Sequence, residues 1–221
     1  MFSNNADEPI APASLTKLMT ALLLLDSYNL GDFIEINFPD NYVYEGKVAY
    51  LESGQQMTIE SLLEFILIYS ANDACIAASI IVSDNYEDFI VLMNNKAREL
   101  GMSNTNFNNP DGLDSINHYS SLNDLLILSK EVLDNIELLT IIMKPSFISD
   151  IGGVDKVYLN TNKLIDKNYL GLKTGWTNKA GLTFIGLNQS NNREILTIVN
   201  KSTVNDNKDN HFSDTEILYR L

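Results

Sequence analysis

The run L-M-T-A-L-L-L-L, residues 18 to 25, continues the helical spacing set by Leu15 and leaves no polar stripe wide enough to face water. A helix over residues 14 to 26 that is apolar nearly all round belongs at the centre of a fold, with other elements packed around it. The segment A-P-A-S-L-T-K leading into it carries Pro12, which suits the approach to a helix start, and two polar residues, Ser14 and Lys17, that a core helix does not need. Asp26 stops the run well short of the roughly 18 apolar residues that a membrane span requires.

Around this helix the pattern divides the chain in two. Residues 32–57 read as short strands and turns. A helix is expected from Thr58 to Tyr69, interrupted by S-A-N-D before a second apolar helix, Ala74 to Val82. Residues 86–100 place Phe89, Leu92, Met93, Ala97 and Leu100 on one helical face, with Gly101 as the stop. The Asn-rich stretch S-N-T-N-F-N-N-P-D-G-L-D reads as loop, and Ser121 with Asp124 forms a capping-box-like start to the helix L-L-I-L-S-K-E-V-L. Beyond it come short β-like runs: K-V-Y-L-N, G-L-K-T-G-W-T, L-T-F-I-G-L-N and E-I-L-T-I-V-N. The last two are separated by the turn Q-S-N-N-R, and a closing helix is expected over Asp214–Leu221. A helical block followed by consecutive antiparallel strands is an α+β arrangement rather than alternating βαβ units.

The chain has 221 residues, a length that allows one domain, which two lobes around a cleft can make up, and shows no internal repeat or low-complexity linker. Its 29 acidic against 15 basic side chains give a formal charge of −14, which opposes binding to nucleic acid. The single cysteine, Cys75, lies in the apolar run A-C-I-A-A and reads as a buried structural thiol. The opening M-F-S-N-N-A-D-E-P lacks the basic region and apolar stretch of a signal peptide, so a cytosolic or a trimmed chain is expected. His118 and His211 have no partner pattern for a metal or a triad, and no metal or cofactor is implied.

An S-x-x-K alone says little, since a chain of this length contains about one by chance. The order and spacing say more. Ser14-x-x-Lys17 is followed 56 residues later by Ser70-Ala71-Asn72, and 103 residues after that by Lys173-Thr174-Gly175. S-x-x-K, S-x-N and K-T-G together are the set found in penicillin-binding proteins and serine β-lactamases. The chemistry accounts for the residue types. A serine hydroxyl needs a base, and positions i and i+3 share a helix face, so Lys17 can reach Ser14. At its reference pKa of about 10.4 a lysine is protonated at pH 7, so the site must lower it by desolvation or by a second positive charge, which Lys173 can supply.

The likeness extends beyond the three motifs. P-A-S-L-T-K-L-M-T-A-L-L-L-L-D, L-I-Y-S-A-N-D-A, M-N-N-K-A-R-E-L-G-M, F-N-N-P-D-G-L-D, H-Y-S-S-L-N-D-L and G-L-K-T-G-W-T-N-K-A-G all resemble the D-alanyl-D-alanine carboxypeptidases, the low-molecular-mass penicillin-binding proteins, from about Ala6 to the end of the chain. The resemblance implies the β-lactamase/penicillin-binding-protein-like transpeptidase fold. This is an antiparallel sheet flanked by helices, with an all-helical lobe over roughly residues 58–140 inserted into one catalytic domain, 1–221.

It also implies roles: Ser14 as nucleophile, Lys17 as base, Ser70 as proton relay, and Asn72 holding both Lys17 and a substrate carbonyl. Lys173 and Thr174 would hold the substrate's terminal carboxylate, and Gly175 would let the strand approach a ligand. The N–H groups of Ser14 and Trp176 would form an oxyanion hole. The implied substrate is a peptidoglycan stem peptide met outside the cytoplasmic membrane in the cell envelope, with β-lactam antibiotics as covalent inhibitors and no membrane segment in this chain.

The sequence departs from that family in places. The first strand of the sheet is expected to be missing, which would expose an edge. His211 stands where relatives often carry an arginine that helps bind the terminal carboxylate, and Lys201 is the cation the sequence offers in its stead. Two further readings compete with a D-Ala-D-Ala carboxypeptidase. One is a catalytically weak or inactive regulatory protein. The other is a β-lactamase, against which stands the absence of the E-x-x-L-N signature, since Glu137 lies in E-L-L-T.

Overall fold

Helix α1, Lys17–Ser27, runs through the middle of the molecule with Leu18, Met19, Ala21, Leu22 and Leu24 at no more than 2% exposure. Each such side chain contributes roughly 1.5–3 kcal/mol by leaving water, so this helix organises the core. The computed structural model describes residues 3–151, 153–167, 169–190, 193–204 and 209–220. Within them α1 is wrapped by α2 (Ile59–Glu64), α3 (Asn72–Ser83), α4 (Tyr86–Leu100) and α5 (Leu122–Asp134), and α6 (Ile136–Ile142) closes the helical part.

The helix ends follow the local sequence. Asn85 Oδ1 accepts the Asp88 N–H, Gly101 ends α4 at φ +81°, and Ser121 Oγ accepts the Asp124 N–H as the capping pattern predicts. The expected helix from Thr58 to Tyr69 is α-helical only to Glu64. It then widens into a π turn, Phe65–Tyr69, that ends on Ser70 in the left-handed region at φ 70°. Packing overrides local preference here: Phe65 meets Phe147 and Tyr158 edge-on, each with centroids 4.9 Å apart.

Those two aromatics come from a hairpin, β3 (Ser146–Asp150) with β4 (Asp155–Leu159), of which the sequence pattern shows only the second strand. α6 likewise has no separate sequence signal and is set off from α5 by the cap of Asn135. A small ribbon joins β1 (Phe33–Glu35) to β2 (Gln56–Thr58). The largest sheet is antiparallel in the order β5 (Tyr169–Thr177), β6 (Gly181–Ser190), β7 (Arg193–Ser202). Helix α7 lies on β6 and β7, and it spans Asn210–Tyr219, one turn earlier than the expected Asp214 start. Leu221 and residues 191 and 192 of the Q-S-N-N-R turn lie outside the described residues. This is the expected α+β architecture of helices against an antiparallel sheet.

Two buried polar groups hold the loops that surround α1. The Asp73 carboxylate, fully buried at the start of α3, accepts N–H groups from Ala49 and Leu51 at 3.0 Å and from Ala74 at 3.1 Å. It thereby ties the segment before β2 to the α3 N-terminus, where negative charge is favoured. His118 Nδ1 accepts the Asn108 N–H at 2.9 Å, so its Nε2 carries the proton and donates to Thr16 Oγ1 at 2.8 Å. This contact pins the long loop against the residue preceding Lys17. Cys75 is buried as expected, its thiol pushed up to about 12 by burial.

Two outcomes follow. Asp73→Ala leaves buried N–H groups unpaired and should lower unfolding free energy by roughly 2–4 kcal/mol, read from denaturant melts. Burial holds His118 down to about 4, below the reference of about 6.5. Its contribution to stability is therefore full above the reference value and is lost as pH falls through the folded one, by as much as about 3 kcal/mol. In His118→Gln the acid limb of a stability–pH curve should shrink accordingly; an unchanged limb would contradict this reading.

Candidate active site

Ser14 lies in a short 3-10 turn, Ala13–Thr16, that runs directly into α1 at Lys17. The sequence pattern suggests an α-helix already at Ser14; the tighter turn does more, because side chains at i and i+3 eclipse in a 3-10 helix. Lys17 has 0% exposure, and its Nζ has three neighbours: Asp111 O at 2.5 Å, Asn72 Oδ1 at 2.7 Å and Ser14 Oγ at 3.1 Å. The first two are oxygens that can only accept, so they take two Nζ–H bonds. The third tetrahedral position faces the Ser14 hydroxyl, and it is the position where a neutral amine carries its lone pair.

Each partner is itself held. Asn72 opens α3; its N–H donates to Lys47 O at 2.7 Å and its Nδ2 to Glu45 O at 2.9 Å, which fixes the amide with Oδ1 toward Lys17. Asp111 belongs to the turn that Gly112 makes at φ +90°, where a Cβ would stand 1.9 Å from Ala13 O, so only glycine fits. Gly46 is similar, with a Cβ falling 2.5 Å from Asn72 Nδ2.

On the opposite wall, β5 presents Lys173, Thr174, Gly175 and Trp176. Lys173 is 1% exposed, and its Nζ donates to Ser70 Oγ at 2.8 Å and to Thr174 O at 3.2 Å. The left-handed conformation of Ser70, unusual for a residue with a Cβ, follows from the π turn and sets the hydroxyl on Lys173. Thr174 Oγ1 donates to Thr161 Oγ1 at 2.8 Å. At Gly175 a Cβ would stand 2.6 Å from Thr183 Oγ1 and 3.0 Å from Ser14 N. The glycine is thus required for β5 to pass beside the Ser14 amide, a packing reason more immediate than ligand approach. Trp176 is 47% exposed along the cleft.

The walls enclose a cleft of about 880 Å³ lined by Ser14, Ser70, Asn72, Thr174, Gly175 and Trp176, among others, a size suited to a peptide end or a small ligand. Lysines share the cleft with the carboxylates of Glu45, Asp111, Asp114 and Asp209. Burial first, and then the charges of Lys17 and Lys47, push Lys173 well below the usual lysine range. Lys47, with its Nζ 4.1 Å above the Tyr69 ring, is held down to about 8 by desolvation and by Lys17. Burial raises the Asp111 carboxyl while Lys17 opposes the rise. His211 sits 4% exposed in the cleft wall and is lowered to about 4 by burial, so it is neutral at pH 7.

All eight residues singled out from sequence therefore fall around one cleft. Lys201 does not: it lies in a separate groove beside β7. Among the described residues, Lys163 lines the cleft together with His211. Loops also bring in Thr161 and Lys47, which carry no motif, and the Asp111 carbonyl and His118, whose contacts their segments do not reveal. Among the described residues no group of three or more His, Cys, Asp or Glu side chains could hold a metal ion.

Comparison with known proteins bears on the family and the fold. The D-alanyl-D-alanine carboxypeptidase family profile matches residues 1–203. D-alanyl-D-alanine carboxypeptidase DacF of Bacillus subtilis is 35% identical over 219 residues, covering 90% of this chain and 53% of that protein. The D-alanyl-D-alanine endopeptidase of Escherichia coli is 27% identical, covering 99% of this chain and 71% of its own. Penicillin-binding protein D2 of Listeria monocytogenes, solved with cefotaxime bound, superposes with a TM-score of 0.84 at 30% identity, covering 99% of this chain and 90% of that one. The chain spans about half the length of the curated carboxypeptidases it matches. By the extent of the family match and the shared fold, the chain belongs to the D-alanyl-D-alanine carboxypeptidase family.

Proposed function

We propose that the chain is the catalytic unit of a serine-type D-Ala-D-Ala carboxypeptidase that works on peptidoglycan stem peptides through an acyl-enzyme on Ser14. The observation that carries this reading is the placement of Lys17 Nζ, saturated by Asn72 Oδ1 and Asp111 O on two sides and facing Ser14 Oγ at 3.1 Å on the third.

In the first step Ser14 Oγ attacks the carbonyl carbon between the two D-alanines, and its proton passes to Lys17 Nζ acting as the base. The charge that develops on the carbonyl oxygen is met by the N–H groups of Ser14 and Trp176, on either side of the close contact at Gly175. The C–N bond breaks, and the proton reaches the leaving amine by way of Ser70, whose hydroxyl is already held by Lys173. D-alanine departs, and water then attacks the ester to release the shortened peptide and free Ser14. A β-lactam would acylate the same oxygen but keep its leaving group tethered, so the ester persists. Lys173 and Thr174 serve the substrate carboxylate, and Asn72 retains one Nδ2–H for the peptide on the acyl side.

Two observations bear on the competing readings. The contacts of Lys17 with Ser14 and of Lys173 with Ser70 supply the two ends of a proton path, which favours an enzyme over an inactive regulator. The neutral His211 weakens the expected carboxylate subsite, which favours a modest carboxypeptidase. Since its substrate lies outside the cytoplasmic membrane, we place its action there. No helix among the described residues is long and apolar enough to cross a membrane.

D-alanine release from a diacetyl-L-lysyl-D-alanyl-D-alanine substrate tests this reading. Ser14→Ala and Lys17→Ala should each lower kcat by about a thousand-fold or more, and the double variant should be no worse than either, because the two groups act as one unit. Retained peptidase activity in Ser14→Ala would show that the nucleophile is another residue.

A further inference from the structure

The cleft wall near His211 carries one exchangeable ion pair. Lys163 Nζ lies 2.7 Å from Asp209 Oδ1, and both side chains are substantially exposed, at 62% and 39%. Lys163 stands two residues past Thr161, whose hydroxyl holds that of Thr174. Asp209 stands two residues before His211, and Lys163, Asp209, His211, Thr161 and Thr174 all line the same cleft.

An ion pair this open to water contributes little to stability, about 0–1 kcal/mol, so its partners can be exchanged at small cost. His211 contributes no charge here at neutral pH, and Lys173 Nζ, which serves the carboxylate from where it stands, is held to Ser70 and the Thr174 carbonyl and does not change partners. Lys163 is therefore, among the described residues beside His211, a cation free to change partners.

Building on the carboxypeptidase reading above, we propose that Lys163 is a specificity-determining residue that leaves Asp209 to take the free carboxylate of the substrate's terminal residue beside Thr174. Asp209 holds the lysine in place when the cleft is empty and competes with the substrate when it fills. No bond is made or broken in this exchange; one carboxylate replaces another on the same ammonium group. The exchange makes the preference for a free terminal carboxylate dependent on ionic strength.

The test is steady-state D-alanine release from the diacetyl-L-lysyl-D-alanyl-D-alanine peptide by wild type, Lys163→Ala, Asp209→Asn, the double variant and Lys163→Arg, with thermal midpoints to confirm folding. Lys163→Ala should raise KM about ten-fold with kcat within about two-fold. Asp209→Asn should lower KM, the double variant should match Lys163→Ala, and Lys163→Arg should restore affinity. A merely structural ion pair would make both single variants worse in the same direction, and that result overturns the proposal, as does a KM indifferent to Lys163. No D-alanine release by wild type would overturn the carboxypeptidase reading and this inference together, whereas release with a KM independent of Lys163 overturns this inference alone.

Discussion

A fully buried lysine without a carboxylate partner is the constraint around which this molecule is built. Removing an isolated ammonium from water costs many kcal/mol, and a carboxylate partner would offset that cost while fixing the proton on nitrogen. Lys17 is satisfied instead by two neutral oxygens, from Asn72 and Asp111, with Ser14 completing the set. Those oxygens orient Nζ so that its remaining position faces the Ser14 hydroxyl.

That arrangement dictates the surrounding architecture. Three distant segments must converge on one nitrogen: the 3-10 turn before α1, the N-terminus of α3, and the turn at Asp111–Gly112. Each has a device that brings it there. Asp73 and the carbonyls of Glu45 and Lys47 secure the start of α3. Gly112 permits the turn to lie against Ala13, and His118 ties the same loop to Thr16. The second lysine repeats the logic on β5, where Lys173 is buried against a serine hydroxyl and a carbonyl. The charge of Lys17, after burial itself, opposes protonation of Lys173.

Much of this was legible in the sequence, for physical reasons that vary with the element. The apolar run at Leu18–Leu25 could only be a central helix, and the spacing of Ser14, Lys17, Ser70, Asn72 and Lys173 marked the site before any geometry. Caps at Asn85 and Ser121 and the stop at Gly101 read directly from local chemistry. What stayed hidden depends on contacts between distant segments. The π turn at Phe65–Tyr69 arises from packing on Phe147 and Tyr158, and β3 is too short to show a period. Asp111 acts through its carbonyl, an atom every residue has, so no motif could reveal it. The surroundings of the two lysines stayed hidden for the same reason: Lys163 and Lys201 look alike in sequence, and only the fold puts the first in the cleft and the second in the groove beside β7.

The central claim is that Ser14, activated by Lys17, is the nucleophile of an assembled site. The most direct measurement is the intact mass of the protein through a time course with benzylpenicillin, with the modified peptide located by fragmentation. The account predicts a single penicilloyl adduct on the peptide containing Ser14 that persists long after excess drug is removed. An adduct on another residue, or none at all, would contradict it.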